Sequence, residues 1–255
     1  MGRLDRKVVL VTGASKGIGA AIARAVGAEG AHVVAHYGRD LAGAEAALQG
    51  VPSSRKSFLA ADQERPAGMD AFWRDAVAVN GRIDVVVLNA AILLGDAGIE
   101  AEDAAWDEAW DRQWRVNVLS PARLMRNAVR HFKLTGGGVL ITISSWAAQR
   151  GVTNPSMIAY AASKAAVKAA AQTVARGYAK DNILSYIVAP GVVRTRMSED
   201  FAASQGGEEK VTAALAMGEW VPPSDIGELV AFLAAGKVRH LSGATLDVNG
   251  ATYVR

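Results

Sequence analysis

Apolar residues in this chain come in short unbroken runs separated by longer stretches with helical spacing. The runs at 8–11, 83–88 and 139–143 are apolar at nearly every position, and weaker runs stand at 32–35, 57–61, 183–188 and 245–248. Successive side chains of a strand point to opposite faces, so a run with no polar alternation predicts a strand buried on both sides. Residues 20–29, 41–48, 67–79, 103–134, 156–179 and 224–235 read as helices between them. Strands alternating with helices predict a mostly parallel sheet with helices on both faces. The polar, glycine-containing stretch 191–221 breaks this rhythm and reads as a lid, with Gly206-Gly207 as a hinge. With no linker or low-complexity segment, one domain over 1–255 is expected.

Composition narrows the function classes. The chain is 51% apolar, carries a net charge of +3 and has no cysteine. Disulfides, thiolate metal sites and a cysteine nucleophile are therefore excluded, and no metal site is expected. The basic residues are scattered rather than clustered, so neither nucleic acid nor an acidic membrane surface is an expected partner. No run reaches the ~18 apolar residues of a membrane span, and a soluble cytoplasmic protein is the expectation.

Two stretches carry candidate chemistry. Tyr160 and Lys164 stand four apart in an alanine-rich helical segment, which places them on one face of a helix. An ammonium about 5 Å from a phenol favours the phenolate by about 3 kcal/mol, or about two pKa units, and brings the phenol into acid–base range. Any alanine-rich helix can carry such a pair, so the pair alone decides nothing. The second stretch, Thr12-Gly13-Ala14-Ser15-Lys16-Gly17-Ile18-Gly19, directly follows the first strand and opens a helix. Its glycines allow a tight turn and close approach of backbone to a pyrophosphate, which the helix N-terminus attracts. After the second strand the sequence runs His36-Tyr37-Gly38-Arg39, with no carboxylate before Asp40. NAD sites usually hold the ribose 2′-hydroxyl with an acid there. Lys16 and Arg39 instead suit a 2′-phosphate, so NADP(H) is favoured over NAD(H).

These segments resemble the short-chain dehydrogenase/reductase family, compact type, over essentially the whole chain. The matching residues are Thr12-Gly13 with Gly17 and Gly19, Asp62 after the third strand, Asn89-Ala90-Ala91 after the fourth, Asn117, Ser144-Ser145 after the fifth, Tyr160 with Lys164, and Pro190-Gly191 followed by Thr195. The resemblance implies an α/β, Rossmann-type doubly wound, mostly parallel seven-stranded sheet. It implies Tyr160 as general acid or base, Lys164 as the group that lowers its pKa and binds the nicotinamide ribose, and Ser145, rather than Ser144, as the substrate-oxygen partner. Asn117 would hold a relay water for Lys164. The cofactor would be held by Gly13, Ser15, Lys16, Gly17, Ile18, Gly19 and Arg39, with Asp62 and Gln63 at the adenine. Asn89, Ala90, Tyr160, Lys164, Pro190, Gly191, Val193 and Thr195 would complete its site.

The chain departs from the family pattern at Leu88, at Ala91 and in a longer Ser145–Tyr160 spacing, where an insertion within 149–157 reshapes one pocket wall. None of these removes a catalytic group. The expected substrate is a medium-sized, mostly uncharged ketone or aldehyde, or the corresponding alcohol, held by Ile92, Leu93, Leu94, Trp146, Gln149, Thr153, Asn154, Met157, Val192, Met197, Phe201 and Trp220. Ala165, Ala166, Ala169 and Ala170 permit close helix contact, and the resemblance implies a homotetramer. Two alternatives stay open: an NAD-dependent sugar or polyol dehydrogenase, and a non-catalytic nucleotide-sensing regulator.

Overall fold

The structure, a computed structural model, describes residues 2–95 and 98–254, so the middle of the 95–98 loop and the two ends of 1–255 lie outside it. The strands are β1 Val8–Val11, β2 His32–Tyr37, β3 Lys56–Ala60, β4 Val85–Leu88, β5 Gly138–Ile143, β6 Ile183–Pro190 and β7 Thr245–Val248. They form one seven-stranded sheet in the order β3-β2-β1-β4-β5-β6-β7, parallel at every pairing. The helices are α1 Gly17–Ala28, α2 Leu41–Ala47, α3 Met69–Asn80, α4 Asp103–Trp114, α5 Ser120–Thr135, α6 Ala147–Arg150, α7 Ile158–Gly177, α8 Arg196–Ser204, α9 Glu208–Ala213 and α10 Pro223–Ala234. The doubly wound α/β architecture expected from the alternating pattern is the one observed.

The unbroken apolar strands fill two cores. Val9, Val11, Val85 and Val87 pack with Ile22 and Val26 of α1 and Ile226 and Val230 of α10 on one face. Their chain neighbours Val8, Leu10, Val86 and Leu88 pack with Phe72 of α3, Leu124 and Phe132 of α5 and Val167 of α7 on the other. Each such side chain contributes about 1.5–3 kcal/mol when taken fully out of water. Helices α1 and α10 approach closely enough that a Cβ at Gly227 would lie 2.8 Å from the Ala21 carbonyl oxygen.

The sheet also fixes where a ligand can sit. Strand order reverses at β1, whose neighbours are β2 and β4. Connections leaving β1 and β4 therefore diverge and open a crevice beyond the carboxyl ends of the strands. The glycine turn follows β1, and Asn89 follows β4, at that crevice.

Two sequence expectations change. The single helix expected over 103–134 is broken by a π-helical turn at Arg115–Leu119, which contains Asn117. The Ser120 amide reaches back to the Arg115 carbonyl, and Pro121, which follows, has no N–H for the Asn117 carbonyl four residues earlier. The Tyr160 helix is shorter than 156–179: Pro155–Met157 is a 3-10 turn capped by Asn154, and α7 ends at Gly177. The 191–221 stretch folds into α8 and α9 and is pinched at its base by a bridge between Val193 and Val221.

Candidate active site

The glycine turn is shaped by contacts that leave no room for side chains. A Cβ at Gly19 would lie 2.0 Å from the Gly13 carbonyl oxygen, and one at Gly13 would lie 3.1 Å from the Ala90 Cα. Gly13 and Gly17 also have φ of 67° and 55°, a region glycine enters without strain. Helix α1 then starts at an extended Lys16 with no side-chain cap on its first amides. Uncapped N–H groups at the positive end of a helix dipole suit a pyrophosphate.

Other predicted cofactor residues converge on this turn. The Asn89 side chain donates to Thr12 O and Gly13 O at 2.9 and 3.3 Å, and Ala90 N donates to Thr12 Oγ1 at 3.1 Å. A Cβ on Gly17 would meet Thr195 Cγ2 at 3.1 Å, so the start of α8 touches the turn from the far side. Thr195 also caps α8 through Ser198, and Val193 is buried in the bridge to Val221. The end of β6 is held on both sides: Trp146 N donates to Pro190 O at 3.0 Å and Gly191 N to Val248 O at 2.9 Å. Ser15 donates its hydroxyl to Asp40 O at 2.7 Å. Ile18 is partly buried against the α1–α10 core. Lys16, Arg39 and Asp62 are exposed, with Asp62 accepting from Glu64 N at 2.9 Å. Gln63 is buried and its Oε1 has no hydrogen-bond partner among the described residues.

The proposed reacting groups are brought together by β5 and α7. Ser145, just past β5, is buried and its Oγ accepts from Ala147 N at 3.2 Å. It is also the hydrogen-bonding neighbour of the Tyr160 phenol. Lys164 is buried, donates to Ile143 O at 2.9 Å, and its Nζ lies 5.8 Å from the Tyr160 ring centre. The Ser144 hydroxyl donates instead to Lys164 O at 3.0 Å, so it braces α7 against β5.

The electrostatic expectation for this pair is corrected. Burial pushes the Tyr160 phenol up to about 12, with Ser145 pulling weakly in the other direction. Burial also brings Lys164 down to about 8. Here removal from water disfavours the charged form of both groups, and the Lys164 ammonium is directed at the Ile143 carbonyl. At neutral pH the phenol is thus protonated and the lysine charged.

Asn117 joins two segments through its side chain. Its side chain donates to Ile92 O and Ser163 Oγ at 2.9 and 3.0 Å and accepts from Ile92 N at 2.9 Å. The carboxamide therefore clasps the strand-β4 loop to α7.

Among the wall candidates, Trp220 is buried and donates to Thr212, bracing α9, while Arg194 lies 4.9 Å from its ring and pairs with Glu208. Sequence reasoning passed over His36, which lies buried beneath the glycine turn. The signal was present: a polar side chain in an otherwise apolar strand must find partners.

Residues 13–251 match the family model described as Enoyl-(Acyl carrier protein) reductase. The chain is 33% identical over 252 residues to the 3beta-hydroxysteroid dehydrogenase 1 of Eggerthella lenta, covering 97% of this chain and 94% of that one. It is 31% identical over 250 residues to the 3-oxoacyl-(acyl-carrier-protein) reductase FabG of Escherichia coli strain K12, covering 98% of each. Among solved structures, a dehydrogenase/reductase from Sinorhizobium meliloti 1021 superposes with a TM-score of 0.85 at 32% identity, covering 98% of this chain and 96% of that one. With the glycine turn, the doubly wound sheet and the clustered serine, tyrosine and lysine, these matches show that the chain belongs to the short-chain dehydrogenase/reductase family of oxidoreductases.

Proposed function

We propose that the protein is an NADP(H)-dependent carbonyl reductase or alcohol dehydrogenase in which Tyr160 is the general acid and base. The observation that carries this reading is the meeting of Ser145, Tyr160 and Lys164 at the carboxyl end of β5, in a sheet whose first strand leads into the uncapped start of α1. When bound, the nicotinamide supplies hydride to a carbonyl carbon or takes it from an alcohol. In the reducing direction Tyr160 Oη gives its proton to the substrate oxygen, and Ser145 Oγ donates a hydrogen bond to the same oxygen. The Lys164 ammonium stabilises the phenolate left behind. The Asn117 carbonyl, to which Pro121 offers no N–H, is the relay point for returning a proton.

The preference for NADP(H) rests on charge at the end of β2. Asp40, the nearest acid, caps α2 by accepting from Gly43 N at 2.8 Å. Lys16 and Arg39 are exposed and form no ion pair among the described residues. The relatives act on chemically different carbonyls by their names, so the substrate has to be found by screening. Ketones, aldehydes and alcohols tested with NADPH, NADH, NADP and NAD should give turnover with the phosphorylated pair. The double variant Lys16→Ala, Arg39→Ala should lower the NADPH-to-NADH affinity ratio by tenfold or more, about one charge-assisted hydrogen bond. An unchanged ratio would remove the basis for the cofactor preference.

The assembly proposed is a homotetramer. Trp106, Trp110 and Trp114 form a half-buried ladder along α4, with ring centres 5.4 and 6.4 Å apart. Ala165, Ala166 and Ala170 of α7 are also half-covered, and Ala169 is exposed. Aromatic and small residues left partly open suit helix packing between subunits. Light scattering should give four times the 26.6 kDa chain mass; a monomer mass would refute the assembly.

A further inference from the structure

His36 sits on β2 with 2% of its surface exposed. Its Nδ1 accepts from Gly13 N at 3.0 Å, and its Nε2 lies 3.1 Å from the Ala61 carbonyl oxygen. Because a backbone N–H is the donor at Nδ1, the ring proton resides on Nε2 and is donated to Ala61. The Phe72 ring meets the imidazole edge-on at 5.0 Å and holds its plane. The main chain of His36 acts in the same sense, since its carbonyl accepts from Ala14 N at 2.9 Å. The Gly13 and Ala14 amides of the glycine turn are thus both directed at one residue, which turns them away from the crevice. Burial keeps the imidazole below its usual range, which preserves the neutral acceptor.

The two segments joined by this ring have one thing in common. Gly13 opens the turn proposed to cradle the pyrophosphate, and Ala61 immediately precedes Asp62 and Gln63, proposed to face the adenine. They lie after different strands, β1 and β3, with β2 between them. We infer that His36 is a positioning residue for the cofactor: its imidazole ties the turn after β1 to the segment after β3 and fixes the spacing between the pyrophosphate and adenine sites. The inference rests on the proposed cofactor reading. It goes beyond it in assigning cofactor affinity to a residue that touches no cofactor.

Isosteric replacements separate this role from simple core packing. His36→Leu keeps the bulk and leaves the Gly13 amide without an acceptor. His36→Asn carries an oxygen at the distance of Nδ1 and restores that acceptor. His36→Gln keeps an amide but carries it one carbon further, past Gly13. NADPH and NADH dissociation constants, read by fluorescence on protein checked for a cooperative melt, should rise about tenfold in His36→Leu. His36→Asn keeps the Gly13 contact but cannot reach Ala61, and His36→Gln reaches past Gly13, so each breaks the tie on one side and should weaken binding by about threefold to tenfold. A loss of affinity in a variant that keeps the parental melting temperature identifies positioning rather than stability. Equal affinity in parent and His36→Leu overturns the inference, as does parental affinity in His36→Asn. The Asn variant decides the matter alone if His36→Leu fails to fold. A parent protein that binds neither dinucleotide overturns both this inference and the proposed function.

Discussion

Tyr160→Phe should lower kcat for carbonyl reduction by about three orders of magnitude while leaving the NADPH dissociation constant within about threefold of the parent. Proton transfer by a positioned side chain contributes about 10²–10⁴-fold, and this substitution removes only the oxygen that carries the proton. The aromatic ring stays in place beside Lys164, so the pocket keeps its shape. Ser145 loses its phenolic neighbour but keeps its contact with Ala147 N. The parent phenol, pushed up to about 12, carries its proton at neutral pH, and the Lys164 ammonium beside it stabilises the phenolate formed on transfer. Single-turnover reduction under saturating NADPH measures the step directly. Near-parental kcat in Tyr160→Phe would eliminate Tyr160 as the proton donor and would point to solvent or Ser145 instead.

The same phenol has a stability signature. Burial pushes it up to about 12 in the folded state, against an ordinary phenol value of 10.0. The folded state therefore holds its proton more tightly, and this contribution is complete below about pH 10 and lost as pH rises toward 12. Tyr160→Phe should therefore lack the stability loss between about pH 10 and 12, and a melt of the variant at pH 7 separates its rate loss from unfolding.

What could be read from the sequence follows from where local chemistry is decisive. Val8–Val11 and Val85–Leu88 were legible as two-sided strands because every residue in them has to be apolar. The glycine turn was legible because its geometry tolerates no Cβ at Gly19. The π-turn around Asn117 was not, because helical periodicity survives a one-residue widening; only Pro121, placed four residues on, hinted at a break. His36 was quoted for the carboxylate missing beside it, while its own partners come from turns after two other strands and are invisible to local reading. The pKa of Tyr160 failed for a related reason. Spacing placed the ammonium beside the phenol correctly, but desolvation depends on tertiary packing, such as the burial of Lys164 against the Ile143 carbonyl of β5.

Lys164→Met should stabilise the protein while depriving it of most of its activity. Lys164 is 4% exposed, and its only acceptor among the described residues is the Ile143 carbonyl. Its pKa falls from 10.5 to about 8, so holding the charge at pH 7 costs the folded state about 3 kcal/mol at 1.36 kcal/mol per unit. Methionine fills a similar volume without the charge, while the stranded Ile143 carbonyl returns a cost of about 1 kcal/mol. A net gain of about 1–2 kcal/mol at pH 7 corresponds to a Tm increase of roughly 2–8 °C for a chain of this size. The sign with pH is fixed by linkage. Below about pH 8 the lysine is charged in both states and the penalty is constant. Between about 8 and 10.5 the folded state sheds its proton first, so the parent regains stability as pH rises and the gap to Lys164→Met narrows. Melting both proteins without cofactor at equal concentration, at pH 7 and pH 9.5, tests this together with turnover. A variant less stable than the parent, by an amount that does not change with pH, would mean that the ammonium is fully compensated where it lies. The lysine would then be a structural group, and its place beside Tyr160 would carry no functional strain.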